Sequence, residues 1–263
     1  MNYNDLINDE RFQRWFQFEP KEVQYLKYSE TTPSLIAAGH KITDVYYAFA
    51  EAHSSFGLAG LESYGPICSN DEVSVLYTKS HFLRTALIEY AICLDLSWQV
   101  IWAYIQPSSL EYLFNQKYKD MEKKCTRDNV KEQLDCLIAQ KGTDYNVAIK
   151  LKKIFLDFDE DPDVEKFRTV YNSVKHHGVL HIDGLGCNNT EILFTINDKS
   201  FPMLHRKTYS IVDLEEMLKV YNDKFIVYMD SIVDLIIPDD YLDNRFELED
   251  VFFTLKAIND IKR

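Results

Sequence analysis

The sequence predicts an all-α helical bundle with a small β-hairpin inserted between two of its later helices. Three observations carry that expectation. Only 8 Gly and 7 Pro occur in 263 residues, and so few breakers over that length favour long helices over a many-turned β architecture. Apolar residues recur at a period near 3.6 in the long stretches between breakers. One segment departs from that pattern: residues 191–196, Glu-Ile-Leu-Phe-Thr-Ile, have strand composition and run into a turn at Asn197-Asp198-Lys199.

Taken in order, residues 1–33 hold an aromatic cluster (Phe12, Trp15, Phe16, Phe18), of which Phe12, Trp15 and Phe16 stand at helical spacing, then a looser connection to Pro33. They read as a short helical lid. From Ser34 to about Leu58, the residues Leu35, Ile42, Val45, Tyr46 and Phe49 form one apolar stripe. Gly57, Gly60, Gly65 and Pro66 break it. Residues 70–106 form the longest and most apolar helix, apolar on more than one face, as expected of a central helix in a bundle. Ser69 or Asn70 can cap it, and Pro107 ends it. Helices then follow over about 109–124, 127–141 (stopped at Gly142) and 144–158.

The acidic run 157–163 lacks the glycine and the alternating ligand order of a calcium loop. Asp161 before Pro162 reads instead as a helix start, with Asp at the N-cap and Pro at the first helical position. The helix it opens runs to His177 and stops at Gly178. The hairpin is expected within 190–208, and a helix from about Ser210 runs to Ile237 before Pro238. The domain reading is a lid (1–33), a bundle with its hairpin (34–237) and a C-terminal helical tail (238–263) that packs on the body or on a second subunit.

Composition narrows the function classes. An apolar fraction of 46% with 14% aromatics is ample for a large core. A net charge of −13 removes the bulk basic surface that a generic nucleic-acid coating protein needs. Any RNA contact has to be local. The five cysteines form no Cys-x-x-Cys pair, which fits a reducing cytosol. Met1 to Glu10 has no apolar signal-peptide core, and the longest uncharged run, Leu96 to Leu110, is short for a bilayer span. The expectation is a cytoplasmic protein with no membrane segment. No repeat of 20–50 residues, glycine-rich phosphate loop, nucleophile elbow or His-Glu-x-x-His is found.

The chemistry-bearing residues gather on one helix. Arg168, Asn172 and His176 stand at i, i+4 and i+8, so they project from one face of the 162–177 helix, with Tyr171, Lys175 and His177 beside them. Histidine titrates near neutral pH and serves as acid or base. Arginine grips phosphate with a planar fork, and asparagine can orient a ribose hydroxyl, a phosphate or the histidine. That set suits metal-independent phosphodiester cleavage. A histidine takes the 2′-hydroxyl proton, cations stabilise the charged phosphorane, and the second histidine or a water protonates the leaving oxygen. His176, Asn172 and Arg168 are the catalytic candidates; Lys175, His177 and Tyr171 are substrate-binding candidates. Asp95, between Leu94 and Leu96 on the central helix, reads as an ion-paired carboxylate or as a group that orients the base.

Two other readings of the cluster stand beside this one. A metal site would use His176, His177 and His181 with His205 or Asp183. Adjacent helical histidines point about 100° apart, which makes joint ligation awkward, and no cysteine sits at ligand spacing; no metal or cofactor is assigned. A capping reading places Lys175, His176 and His177 against the free carbonyls and negative dipole end of the helix. It leaves Arg168 and Asn172 unexplained.

The run Tyr171-Asn-Ser-Val-Lys-His-His-Gly178, late in a long helix, resembles the signature of the HEPN superfamily: Arg, a polar residue, three variable positions and His. It is similar to the Arg-Asn-x-x-Lys-His form seen in bacterial HEPN-like proteins. Asn172 takes the polar position and His176 the histidine. Tyr171 stands at the arginine position, and Arg168 lies one turn earlier, about 60° away around a regular helix. The resemblance implies a helical bundle, commonly a homodimer with two motif helices facing each other. Many members are metal-independent endoribonucleases in defence, toxin–antitoxin or RNA-processing settings; others are non-catalytic modules that bind RNA, a nucleotide or a protein partner such as an antitoxin.

Overall fold

The structure, a computed structural model, describes residues 9–29, 31–106, 113, 116–186, 193–202, 207–245, 248–249, 251–252 and 255–256. The chain is mostly helical, with helices α1 (Glu22–Tyr28), α2 (Pro33–Ala59), α3 (Glu72–Ile105), α4 (Gln116–Glu122), α5 (Arg127–Gln140), α6 (Tyr145–Asp159), α7 (Pro162–His177) and α8 (Ile211–Ile236). Short strands β1 (His181–Ile182), β2 (Leu193–Ile196), β3 (Lys199–Pro202) and β4 (Thr208–Tyr209) lie between α7 and α8. The chain divides into two compact units. The first comprises Glu51–Tyr90 and Pro162–Asn222, and the second Asp9–Ala50, Ala91–Asp161 and the residues from Asp223 onward.

The first unit is built around an aromatic and polar core. Phe167 of α7 stacks on Tyr221 of α8, ring centroids 3.8 Å apart. Next to it Asn222 is fully buried. Its Oδ1 accepts from the Tyr90 hydroxyl at 2.7 Å and lies 3.0 Å from His53 Nδ1. A buried amide is tolerable only with such partners. The strands differ from the single hairpin expected over 190–208. β2 and β3 do pair antiparallel, Leu193 opposite Pro202 and Ile196 opposite Lys199. The turn is only Asn197-Asp198, both at positive φ (49° and 60°). That two-residue turn matches the twist of the strands, so Lys199 joins β3 rather than the turn. β4 leaves the hairpin and pairs in parallel with β1, His181 opposite Thr208.

The second unit packs aromatic rings. Trp15 is fully buried in a 3-10 turn (Gln13–Phe18), and its indole Nε1 donates to Asp230 Oδ1 at 2.8 Å. Phe49 stacks on Phe225 at 5.5 Å, and Phe158 on Tyr228 at 4.1 Å. Each such pair adds about 0.5–1.5 kcal/mol beyond area burial. Gly39 of α2 is dictated by close approach: a Cβ there would meet the Tyr241 hydroxyl at 2.3 Å and the Phe18 carbonyl at 2.7 Å. Tyr241, from the segment after α8, is buried and donates to that carbonyl at 3.1 Å. Arg127 forks onto the buried Asp159 carboxylate, with Nε contacts of 2.9 and 2.8 Å.

Helix ends follow the sequence with two shifts. α3 is capped by Asp71, whose Oδ1 accepts from the Ser74 amide at 2.9 Å, one residue beyond the Asn70 expected. Bonds from Ser69 and Ser74 hold the Asp71 carboxyl well below its usual range. α5 ends with Lys141, not Gly142, in the left-handed conformation (φ 52°). α3 is long and apolar enough in one 18-residue window to cross a bilayer by length and composition, which the uncharged-run criterion did not register. Of that window, 61% is buried inside the protein, as in the central helix of a bundle.

Candidate functional site

α7 forms for reasons written in its first turn and its last. Pro162 at the first position loses no hydrogen bond, and Asp163 and Glu165 meet the positive dipole end. Val164, Phe167, Val170 and Val174 are buried, which sets the orientation of everything else on the helix. Gly178 at φ 124° takes the chain away from it. Asp161, expected as the N-cap, grips Lys224 Nζ at 2.6 and 2.7 Å within the second unit.

With the apolar stripe inside, Asn172, Lys175 and His176 are exposed. The three members of the i, i+4, i+8 set differ in state, Asn172 and His176 being exposed and Arg168 half-buried. The Arg168 side chain is only 16% exposed, and its guanidinium donates to Glu165 Oε2 at 2.6 Å. Glu165 thus partly neutralises the cation expected to hold phosphate. Tyr171, at the motif's arginine position, is half-buried, and Lys175 Nζ sits 5.6 Å from its ring centroid. A cation over an aromatic face is held there by the ring quadrupole. Lys175 is thereby placed on the side of the helix that Tyr171 occupies. His177 is the last residue of α7, and its side chain lies outside the described residues.

α7 carries three cationic residues, Lys166, Arg168 and Lys175, against the acids Asp163 and Glu165, on a chain of net charge −13. The helix is a local exception to the acidic composition. Its C-terminal end adds His176 beside free carbonyls, where cations are favoured. Chemically, this face can hold an anion near Lys175, stack or edge a base on Tyr171, and present an imidazole and an amide one turn apart.

Asp95 lies in the second unit and is exposed, so its apolar sequence neighbours impose no burial on it. Its charge acts on Cys125: burial first, and Asp95 second, push that thiol up to about 12. Among the described residues no group of three or more His, Cys, Asp or Glu gathers as a metal ligand set. His181 is half-buried on β1 and Asp183 is exposed, while His205 lies outside the described residues. Sequence reading missed the His53–Asn222–Tyr90 cluster in the first unit. The available signal was Asn222 itself, an amide inside the apolar stripe of Leu218, Tyr221 and Phe225. Comparisons with protein-family models, curated proteins and solved structures find no match to this chain.

Proposed function

We propose that this chain is an HEPN-like, RNA-directed protein of the cytoplasm, working as a homodimer, whose α7 face engages the ribose–phosphate backbone. His176 acts as the acid–base group of a metal-independent endoribonuclease, Asn172 orients the reacting hydroxyl, and Lys175 with Arg168 balances phosphate charge. The observation that supports this reading is the exposure of Asn172 and His176 one turn apart on a locally cationic helix of an acidic chain. A face meant only to cap the helix would not extend a polar stripe back to Arg168.

A second reading, a non-catalytic interaction module, is favoured by one specific pair of contacts. Arg168 is bound to Glu165, and Lys175 lies over Tyr171 where the motif has arginine. Cleavage of a single-stranded RNA by wild type and His176→Ala, each with and without EDTA, separates the two. Cleavage that ignores EDTA and falls at least about 100-fold in His176→Ala supports the nuclease. RNA binding without cleavage supports the module. Neither binding nor cleavage removes both.

A further inference from the structure

The second unit contains a cleft of about 560 Å³. It is lined by the N-terminal end of α2, the C-terminal end of α3, α5, the start of α6 and the segment closing α8. Ligand clefts commonly fall between about 300 and 1,000 Å³, with an apolar body and a few convergent polar groups. This one has a buried floor that includes Leu151, half-buried walls of Tyr104, Gln106 and Gln133, and an exposed rim of Gln140 and Asp144.

Its polar groups are neutral but for one. Three carboxamides, a phenol and the hydroxyls of Thr31, Thr32 and Ser34 line it with the single carboxylate of Asp144, and no Lys, Arg or His is among the described lining residues. A phosphate or carboxylate ligand would find no cation there. Gln106 Nε2 is buried and has no hydrogen-bond partner among the described residues, a costly state unless an acceptor fills it. Asp144 is the N-cap residue of α6, yet its side chain makes no capping hydrogen bond. Its carboxylate is thus not spent on the helix. Burial first, and the Asp144 charge second, raise the Tyr104 hydroxyl above its ordinary value.

We propose that this cleft binds an amino-substituted nucleobase, free or as its nucleoside. A carboxamide presents a donor and an acceptor side by side, the pattern that Gln and Asn use against the edge of adenine, while a carboxylate accepts from an exocyclic amine as in recognition of cytosine. Gln106 supplies the donor for a ring nitrogen or carbonyl, Asp144 accepts from the amine, and the Tyr104 ring gives a stacking wall. The described lining, which holds no Lys, Arg or His, favours the uncharged nucleoside over its phosphate. This inference does not rest on the RNA-directed reading of α7.

Titration of the full chain with adenosine, cytidine, uridine and adenosine 5′-monophosphate, by calorimetry and amide chemical shifts, tests it. The expected result is a Kd of about 1 mM or tighter for adenosine or cytidine, with shifts at α3, α5 and α6. Uridine and adenosine monophosphate bind at least about tenfold more weakly, and Gln106→Leu and Asp144→Ala each weaken the preferred nucleoside by a similar factor without lowering the melting temperature. No binding at several times that concentration overturns the site, as do equal affinity for nucleoside and nucleotide, or affinity indifferent to both substitutions.

Discussion

The α7 face and the cleft of the second unit are both polar sets on an apolar framework, and they are built in opposite ways. The α7 set is linear: Arg168, Asn172 and His176 follow one another by helical repeat, and burial of Val164, Phe167, Val170 and Val174 turns them outward. The cleft set is assembled: Gln106 follows α3, Gln133 and Gln140 belong to α5 and Asp144 precedes α6, and they meet only because those helices pack. An exposed linear set tolerates substitution, since each side chain already faces water. An assembled set depends on its frame, and its buried members carry a stability cost even before any ligand arrives.

The largest expected effects therefore lie in the frame of the second unit. Trp15→Ala removes a fully buried ring and its bond to Asp230, and is expected to lower unfolding free energy by about 3–5 kcal/mol in urea denaturation. A loss below about 1 kcal/mol would mean that the ring is not part of the core. Gly39→Ala comes next. Its new methyl must displace the Tyr241 hydroxyl and meets the rigid Phe18 carbonyl, so a loss of about 1–3 kcal/mol is expected. Pairing it with Tyr241→Phe relieves only the hydroxyl clash and should restore part of that loss.

Gln106→Leu runs the other way. Replacing an amide whose buried nitrogen has no partner among the described residues with an apolar group of similar size is expected to raise stability by about 1 kcal/mol while weakening nucleoside binding at least about tenfold. A destabilised variant would show that the amide already has a partner. Asn172→Ala and His176→Ala, both at exposed positions, should stay within about 0.5 kcal/mol of wild type, so that any loss of RNA handling is chemical and not a folding defect.

The smallest effect concerns Asp95. Cys125, pushed up to about 12, remains a neutral thiol at pH 8, so iodoacetamide should modify exposed Cys136 at least about tenfold faster. The Cys125 rate should climb with pH toward that value, because only the thiolate reacts. Asp95→Asn removes a charge that opposes the thiolate, so it should speed Cys125 modestly at fixed pH; a slower reaction would contradict the assignment.

Much of the helical order was legible because its signals are local. Pro162 and Gly178 bracket α7, and period-3.6 stripes mark α2 and α8. What escaped reading depends on contacts between distant residues. Thr208 pairs with His181, 27 positions earlier, and composition carries no trace of that parallel register. Lys141 ends α5 in a left-handed conformation with a glycine standing next to it, where a residue-by-residue rule favours the glycine. Asp95 reads as a carboxylate in need of a partner because Leu94 and Leu96 flank it, yet residues adjacent in a helix point about 100° apart, and Asp95 is exposed. At the candidate site the stripe was readable, while the commitment of Arg168 to Glu165 and the placement of Lys175 over Tyr171 were not, since both are choices of rotamer.

The most direct test of the central claim is where RNA touches the protein. A single-stranded RNA carrying photoreactive 4-thiouridine, cross-linked to the full chain and mapped by mass spectrometry, should attach within the peptide Thr169–Lys175 or at His176. The yield should fall when Lys175 and His176 are both replaced by alanine. Cross-links confined to other segments, or a yield unchanged by that double substitution, would contradict the assignment of α7 as the RNA-directed face.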